Sequence, residues 1–218
     1  PISFSDYTVV SNGAHRRSGI PPCPEEQYYY NSNSTLVKAF RMRYNELMRT
    51  FIAIELEKEI RDTLFQIQEE LKSVQADVKW IKTANIHLTL KFLGEVEEAK
   101  IPEIIQCLQE PGSQIKPFTA RISGMGAFPG LKSARVIWAG VKEDTNELMK
   151  LAETIEDGLV KLGFPKESRK FSAHLTLGRL RSNKNKDKLG QKLEKIKTPE
   201  LSMRINSIAL FESVLHPT

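Results

Sequence analysis

The chain has 218 residues, of which 40% are hydrophobic and 27% are charged, a composition typical of a soluble protein with one core or two closely joined lobes. It shows no run of eighteen apolar residues, no signal-peptide pattern and only two cysteines, which argues against membrane-spanning, secreted and disulfide-stapled classes. Its net charge of +5 favours a polyanionic partner without proving one. We therefore expect a cytoplasmic protein with no membrane partner, no cofactor and no bound metal.

The first part of the chain differs in composition from the rest. Residues 1–47 contain frequent Gly, Pro, Ser and Asn, and their apolar residues do not recur at the spacing of a helix or a strand. We expect a disordered or non-native leader over 1–47, with Met48 as a candidate initiator. A genuine N-terminal extension is the alternative, because composition alone does not separate the two. The folded domain is predicted to span 48–218.

From Met48 onward, strand patterns alternate with helix patterns. Short apolar runs predict strands, and apolar residues at three- and four-residue spacing predict amphipathic helices. The predicted strands are 48–54, 78–81, 86–93, 118–125, 135–141, 174–180 and 203–212. The predicted helices are 57–74, 99–109, 145–162 and 189–196, the second ending before Pro111-Gly112. Each half runs strand, long helix, strand, which predicts an internal duplication with two similar α+β lobes facing each other across a groove.

The tetrapeptide His-Leu-Thr-Leu occurs twice, at 87–90 and at 174–177, and contains two of the four histidines. Successive side chains of a strand point to opposite faces, so the His and Thr of each copy share one face and the two Leu share the other. We expect the leucines to enter the core. The histidines and threonines are then left to face the groove.

Two imidazoles and two hydroxyls around one small volume suit a phosphate. Histidine titrates near pH 6.5 when unperturbed, so one imidazole can accept a proton while the other donates one. Threonine hydroxyls can donate hydrogen bonds to oxygens that gain charge in the transition state. His87, His174, Thr89 and Thr176 are the predicted catalytic residues. A single His-x-Thr is usually structural, and a repeat kept from duplication without chemistry stays open as the alternative.

The segments 85–96 and 171–179 resemble the two signatures of the RNA 2′,3′-cyclic phosphodiesterases, also called 2′-5′ RNA ligases, within the 2H phosphoesterases. Similar sequence surrounds 49–54, 124–129 and 135–138, so the resemblance covers about Met48 to Val214. It implies an α+β, bilobal fold with two similar antiparallel sheets and flanking helices around a central cleft. It also implies metal-independent hydrolysis of RNA 2′,3′-cyclic phosphate ends to 2′-phosphomonoesters, with reverse 2′-5′ ligation as a further activity. By the same resemblance, His174 is the base and His87 is the acid.

Three neighbouring residues are predicted to bind substrate. Lys91 falls on the histidine face by alternation and would add positive charge. Arg179 falls on the opposite face, and a bulge would be needed to turn it toward the phosphate, so a plain surface arginine is equally consistent. Phe128 lies in a Gly-Pro turn and could stack a nucleobase, as could Phe51 or Phe92, although aromatic residues more often pack in a core.

The expected partner is RNA with a 2′,3′-cyclic phosphate end, with tRNA fragments among the candidates, and the expected state of the protein is a monomer. Two alternatives stay open. One is a non-catalytic RNA-binding module with the same groove, which the presence of both histidines disfavours. The other is a phosphodiesterase acting on 2′-5′ oligonucleotides or small cyclic nucleotides. Only substrate profiling distinguishes this activity from hydrolysis of RNA 2′,3′-cyclic phosphate ends.

Overall fold

A computed structural model describes residues 28–30, 36–38, 47–143, 146–196, 198–199 and 201–213. Strands β1 (Tyr28–Tyr30) and β2 (Leu36–Lys38) form an antiparallel pair inside the segment where composition predicts no strand. Leu47, the last residue of the predicted leader, begins strand β3 (Leu47–Ile54), and apart from β1 and β2 the other leader residues lie outside the described part of the chain. The prediction of a disordered or non-native leader over 1–47 therefore stays a prediction.

The remaining described elements are eight strands in one antiparallel sheet, four α-helices and three short 3-10 helices at Thr83–Asn85, Glu98–Lys100 and Leu131–Ser133. The strands are β3 (Leu47–Ile54), β4 (Val78–Trp80), β5 (Leu88–Glu97), β6 (Phe118–Phe128), β7 (Val136–Lys142), β8 (His174–Leu180), β9 (Leu201–Ile205) and β10 (Ala209–Glu212). The helices are α1 (Lys58–Lys72), α2 (Ile101–Gln114), α3 (Glu147–Lys161) and α4 (Lys186–Lys195). The predicted α+β class is confirmed.

Several element boundaries differ from the predicted ones, and the two clearest differences are in α2 and in the last predicted strand. Helix α2 runs past Pro111 and Gly112, which we expected to end it. Only three residues follow Pro111 in the helix, so the one hydrogen bond that the proline removes, to the carbonyl four residues earlier, lies near the C-terminal end of the helix. The single strand predicted over 203–212 is two strands, β9 beside β6 and β10 beside β3, at opposite edges of the sheet. The chain leaves the sheet between them at 206–208, where Asn206 and Ser207 are residue types that favour turns.

The strand order of the sheet is β10-β3-β5-β8-β7-β6-β9, and β4 pairs with the second part of β8. The two strands that carry the repeated tetrapeptide, β5 and β8, are therefore central neighbours. They pair at a single position, Leu88 opposite Leu175. The sheet thus consists of two antiparallel parts that meet at this bridge.

Each part of the sheet contains strands from both halves of the sequence. The first half ends in β6, which pairs with β7 of the second half, and the second half ends in β10, which pairs with β3 of the first. The helices also make contacts between the two halves of the sequence. Gln68 of α1 donates a hydrogen bond to the Leu177 carbonyl in β8 (2.9 Å), and Glu156 of α3 pairs with Lys91 in β5 (2.8 Å). The two halves of the duplicated sequence are therefore interlocked in the fold. Each lobe contains strands from both halves of the sequence.

One large core joins the two parts, and all four helices contribute to it. The leucines of both tetrapeptides, Leu88, Leu90, Leu175 and Leu177, belong to this core, as their predicted face requires. A small second cluster of Phe51, Ala53, Ala209 and Phe211 lies on the other face of β3 and β10. Within the described part of the chain, no helix is long and apolar enough to cross a membrane.

Candidate active site

The two histidines occupy matching positions at the starts of the central strands. His87 directly precedes β5, and His174 is the first residue of β8. Because β5 and β8 are antiparallel and Leu88 lies opposite Leu175, His87 comes beside Thr176, and Thr89 comes beside His174. Each imidazole therefore has the threonine of the other tetrapeptide as its neighbour across the bridge.

A cleft of about 440 Å³ opens at this point, and His87, Thr89 and Thr176 line it. The other lining residues come from neighbouring strands and turns and are Arg49, Thr50, Phe51, Lys79, Ile81, Asn85, Phe92, Gly94, Arg179 and Ser213. His174 is half-buried and does not line the cavity itself. The structure thus gathers three of the four predicted catalytic side chains around one cavity, with His174 next to Thr89 in the strand register.

Each imidazole is held by a backbone carbonyl two residues earlier. The Nδ1–H of His174 donates to the Ser172 carbonyl at 2.7 Å. His87 makes the corresponding hydrogen bond to the backbone of Asn85. A ring nitrogen bonded in this way carries the proton of the neutral imidazole, which leaves the other nitrogen of each ring available for proton transfer.

Aromatic rings cover His87. Phe51 stacks on its imidazole with ring centroids 4.6 Å apart, and Phe211 lies 5.7 Å away in a nearly parallel orientation. This burial lowers the pKa of His87 below its ordinary value of 6.5, against the opposing effect of the hydrogen bond to Asn85. The neutral form of His87 is therefore favoured in the unliganded protein.

A different aromatic group supports His174. Phe128 meets the His174 ring edge-on, with centroids 5.0 Å apart, and Trp138 packs against Phe128 at 5.2 Å. Trp138 can lie there because Gly126 has no side chain, since a Cβ at that position would come within 2.3 Å of the indole. Phe128 is thus next to the predicted catalytic group, and its role in binding a base remains a prediction.

A β-bulge at the last leucine of each tetrapeptide decides which later residues face the cleft. In β5, Thr89 pairs with Ala53 and Lys91 pairs with Ile52, which leaves Leu90 as the extra residue. In β8, Thr176 pairs with Trp138 and Gly178 pairs with Ile137, so the extra residue is Leu177. A bulge of one residue reverses the alternation of faces beyond it.

The bulge at Leu90 turns Lys91 away from the cleft. Its side chain is 4% exposed, and its ammonium group donates to Glu156 and to the Pro165 carbonyl, both at 2.8 Å. The prediction that Lys91 faces the cleft and binds substrate there is wrong, because it assumed unbroken alternation. Lys91 instead joins β5 to α3 and to the segment that follows α3.

The bulge at Leu177 has the opposite effect on Arg179, which it brings to the cleft. The equivalent position in β5 is Phe92, which also lines the cleft and is 59% exposed. Because β5 and β8 run in opposite directions, Phe92 and Arg179 lie toward opposite ends of the site. Arg179 therefore lies at the cleft, and its binding of substrate stays a prediction.

Two further residues at the site are not indicated by the local sequence pattern. Phe211 lies in β10, and nothing in its local sequence indicates that this strand returns to the side of β3. Lys79 lies in β4, opposite Arg179 in β8. The alternation of side-chain faces along β4 can be predicted from the sequence, but the pairing of β4 with β8 cannot. Among the described residues, no three His, Cys, Asp or Glu side chains are grouped so as to hold a metal ion.

A second cavity, of about 500 Å³, lies between α3 and the segment 166–171. It is lined by Glu156, Lys166, Arg169 and Phe171, among others, and by neither histidine. We assign it no part in the site.

The fold and the cleft define a class of α+β proteins in which two His-x-Thr strands meet at the centre of an antiparallel sheet. This chain belongs to the family described as "LigT like Phosphoesterase", whose sequence pattern matches residues 54–138 and 140–218. The family resemblance noted from the two tetrapeptides is confirmed.

Similar proteins agree with this membership. An RNA 2′,3′-cyclic phosphodiesterase of Methanothermobacter thermautotrophicus is 36% identical over 171 residues, covering 78% of this chain and 92% of that protein. One from Archaeoglobus fulgidus is 43% identical over 134 residues, or 62% of this chain and 73% of that protein. The crystal structure of E. coli LigT complexed with 3′-AMP has a TM-score of 0.59 at 26% identity, covering 79% of this chain and 91% of that one.

Proposed function

We propose that this protein hydrolyses RNA 2′,3′-cyclic phosphate ends to 2′-phosphomonoesters without a metal ion. The observation that carries the proposal is the pair of imidazoles, each fixed by a carbonyl two residues earlier, with one ring nitrogen free for proton transfer. The names of the relatives, RNA 2′,3′-cyclic phosphodiesterases, support the same reaction.

The proposed reaction is an in-line displacement at phosphorus. Neutral His174 accepts a proton from water as the water oxygen forms a bond to phosphorus. The bond between phosphorus and the 3′-oxygen breaks, and protonated His87 donates its proton to that oxygen. The products are a 2′-phosphate and a 3′-hydroxyl. His174 then holds the proton taken from water and His87 is neutral, and exchange with solvent resets both groups.

The lowered pKa of His87 is compatible with the role of proton donor. A group with a lowered pKa is a stronger acid once it is protonated. A bound phosphate brings negative charge next to the imidazole, which favours the protonated form and offsets the effect of burial. Substrate binding thereby prepares His87 to act as the acid.

The remaining site residues have supporting roles in this proposal. Thr89 and Thr176 donate hydrogen bonds to the non-bridging oxygens, where charge accumulates in the transition state. Arg179 attracts the anionic substrate, and Phe128 offers a ring to the base. The positions of Thr89, Thr176 and Arg179 along the cleft and the contact of Phe128 with His174 support these roles.

Ligation joins a 2′,3′-cyclic phosphate end to a 5′-hydroxyl by the same displacement, with the 5′-hydroxyl in place of water as the group that His174 deprotonates. We propose hydrolysis as the main activity, because water is the more abundant nucleophile. We further propose that a monomer performs this reaction in the cytoplasm, with tRNA fragments among its substrates.

The test is to incubate the purified protein with an oligoribonucleotide ending in a 2′,3′-cyclic phosphate and to identify the product by chromatography against authentic 2′-phosphate and 3′-phosphate standards. We expect a 2′-phosphate, formed at the same rate with and without EDTA. A 3′-phosphate product, or EDTA-sensitive turnover that a divalent ion restores, would overturn the mechanism.

The same assay distinguishes the alternatives. Binding of the cyclic-ended RNA without any product would indicate a non-catalytic RNA-binding module. Faster turnover of a 2′-5′-linked oligonucleotide than of the cyclic end would reassign the substrate.

A further inference from the structure

Two cations face each other at one end of the cleft. Lys79 of β4 lies directly opposite Arg179 of β8, and both side chains are exposed and line the cavity. Like charges in directly opposite positions of neighbouring strands destabilise a sheet. Neither side chain forms an ion pair with a carboxylate in the part of the chain that the structure describes. The repulsion between them is therefore not relieved within those residues, and an anion bound between them would relieve it.

This pair lies beyond the proposed catalytic groups. Arg179 follows Thr176 by three residues, which spans about 10 Å of strand. The bulge at Leu177 keeps both on the cleft side. Phe92 marks the other end of the cleft, since it follows His87 along the antiparallel strand. The cleft therefore has an aromatic end and a cationic end, with the histidine and threonine groups between them.

A phosphate bound among the histidines and threonines leaves the cationic end for a second anion of the same ligand. In RNA, that second anion is the phosphodiester on the 5′ side of the terminal nucleotide. Arg179 presents a planar fork that matches two phosphate oxygens, and Lys79 adds a compact point charge from the facing strand.

We propose that Lys79, together with Arg179, binds the phosphodiester on the 5′ side of the nucleotide that carries the cyclic phosphate. This inference rests on the proposed function and narrows its substrate class. The protein then prefers ends of RNA chains over free cyclic mononucleotides, which lack that phosphodiester.

The experiment compares adenosine 2′,3′-cyclic phosphate with the dinucleotide ApA 2′,3′-cyclic phosphate, which differs by one nucleoside and one phosphodiester. We expect the wild-type kcat/KM to favour the dinucleotide. In Lys79→Gln this preference should fall about tenfold, mainly through KM, because one charged contact to the phosphodiester is lost. The matched control is Lys82→Gln, an exposed lysine three residues away that does not line the cleft, which should keep the wild-type preference.

A substrate variant tests the same contact without any mutation. When the phosphodiester of the dinucleotide is replaced by a neutral methylphosphonate, the wild-type preference should fall by more than it does in Lys79→Gln, because the contact with Arg179 is lost as well. Lys79→Gln should lose less from this replacement than the wild-type protein does, because only the Arg179 contact remains in the variant. An unchanged preference in Lys79→Gln, or an equal loss on both natural substrates, would overturn the proposal. Failure of the wild-type protein to hydrolyse either substrate would instead overturn the proposed function.

Discussion

His87 and His174 are proposed to move protons in opposite directions, although their tetrapeptides are identical. A substrate whose 3′-oxygen is replaced by sulfur distinguishes them, because a thiolate leaves without protonation. On the normal substrate, His87→Ala and His174→Ala should each lose at least about 100-fold in rate. On the sulfur substrate, His87→Ala should recover most of that loss, while His174→Ala should stay slow. Recovery by His174→Ala alone would reverse the two roles.

The threonine hydroxyls are assigned to charge that develops in the transition state. Replacing Thr89 or Thr176 by Val keeps the β-branched shape and removes the donor. We expect kcat to fall on the order of 10- to 1000-fold for each variant, with an unchanged melting temperature. Steady-state kinetics and thermal unfolding measure the two effects. Wild-type rates in both variants would refute the assignment.

The rings over His87 control when it can act as an acid. Its pKa lies below 6.5 because burial disfavours the imidazolium. The free enzyme needs protonated His87, so kcat/KM should fall as pH rises through that lowered pKa. Phe51→Leu opens the stack to water and should raise the pKa toward 6.5, which moves this fall to higher pH.

The pH profile of kcat/KM and an NMR titration of the His87 ring proton both report this change. Phe128→Leu is the matched control, because Phe128 contacts His174 and not His87. A His87 pKa that stays constant or falls in Phe51→Leu would mean that the stacked ring does not cause the shift.

At the scale of the strand, sequence reasoning succeeded inside each tetrapeptide and failed just beyond it. Alternation correctly assigned Leu88 to the core and Thr89 to the cleft. It failed at Lys91 because a bulge depends on how β5 pairs with β3, and that pairing is not encoded in the local pattern. The separation of β9 from β10 was missed for the same reason, since the neighbours of each strand are set by the whole sheet.

Lys91, which we first expected to bind substrate, should instead matter for stability. Its ion pair with Glu156 is buried, with side chains 4% and 14% exposed. Lys91→Met leaves a carboxylate in the interior without its cation, so we expect a loss of about 3–5 kcal/mol in the free energy of unfolding. Urea denaturation measures this loss, and the double variant Lys91→Met/Glu156→Met should recover part of it.

Lys58→Met is the matched control for that experiment. Lys58 also pairs with a carboxylate, Asp62, but both side chains are exposed. Removal of this exposed pair should change the free energy of unfolding by less than about 1 kcal/mol. A similarly small effect in Lys91→Met would show that the buried pair contributes little.

At the scale of the whole molecule, most of the buried apolar residues described from Leu47 onward share one continuous core. Leu47 itself is 59% exposed, so little packing depends on the start of β3. A chain that begins at Met48 should therefore keep its activity and a melting temperature within about 3 °C of the full chain. Scanning calorimetry and the cyclic phosphate assay check this expectation. A large drop in melting temperature would show that residues before Met48 pack on the core.

The placement of β10 against β3 has a consequence for biosynthesis. Phe51, which stacks on His87, emerges from the ribosome early, whereas Phe211, which packs on Phe51, emerges about 160 residues later. Both histidines are therefore synthesised before Phe211, the last of the aromatic residues that pack around His87. A nascent chain that has passed His174 but not Phe211 carries every proposed catalytic side chain in an unfinished pocket. We expect the newly made protein to begin acting on RNA only after β10 has left the ribosome and paired with β3.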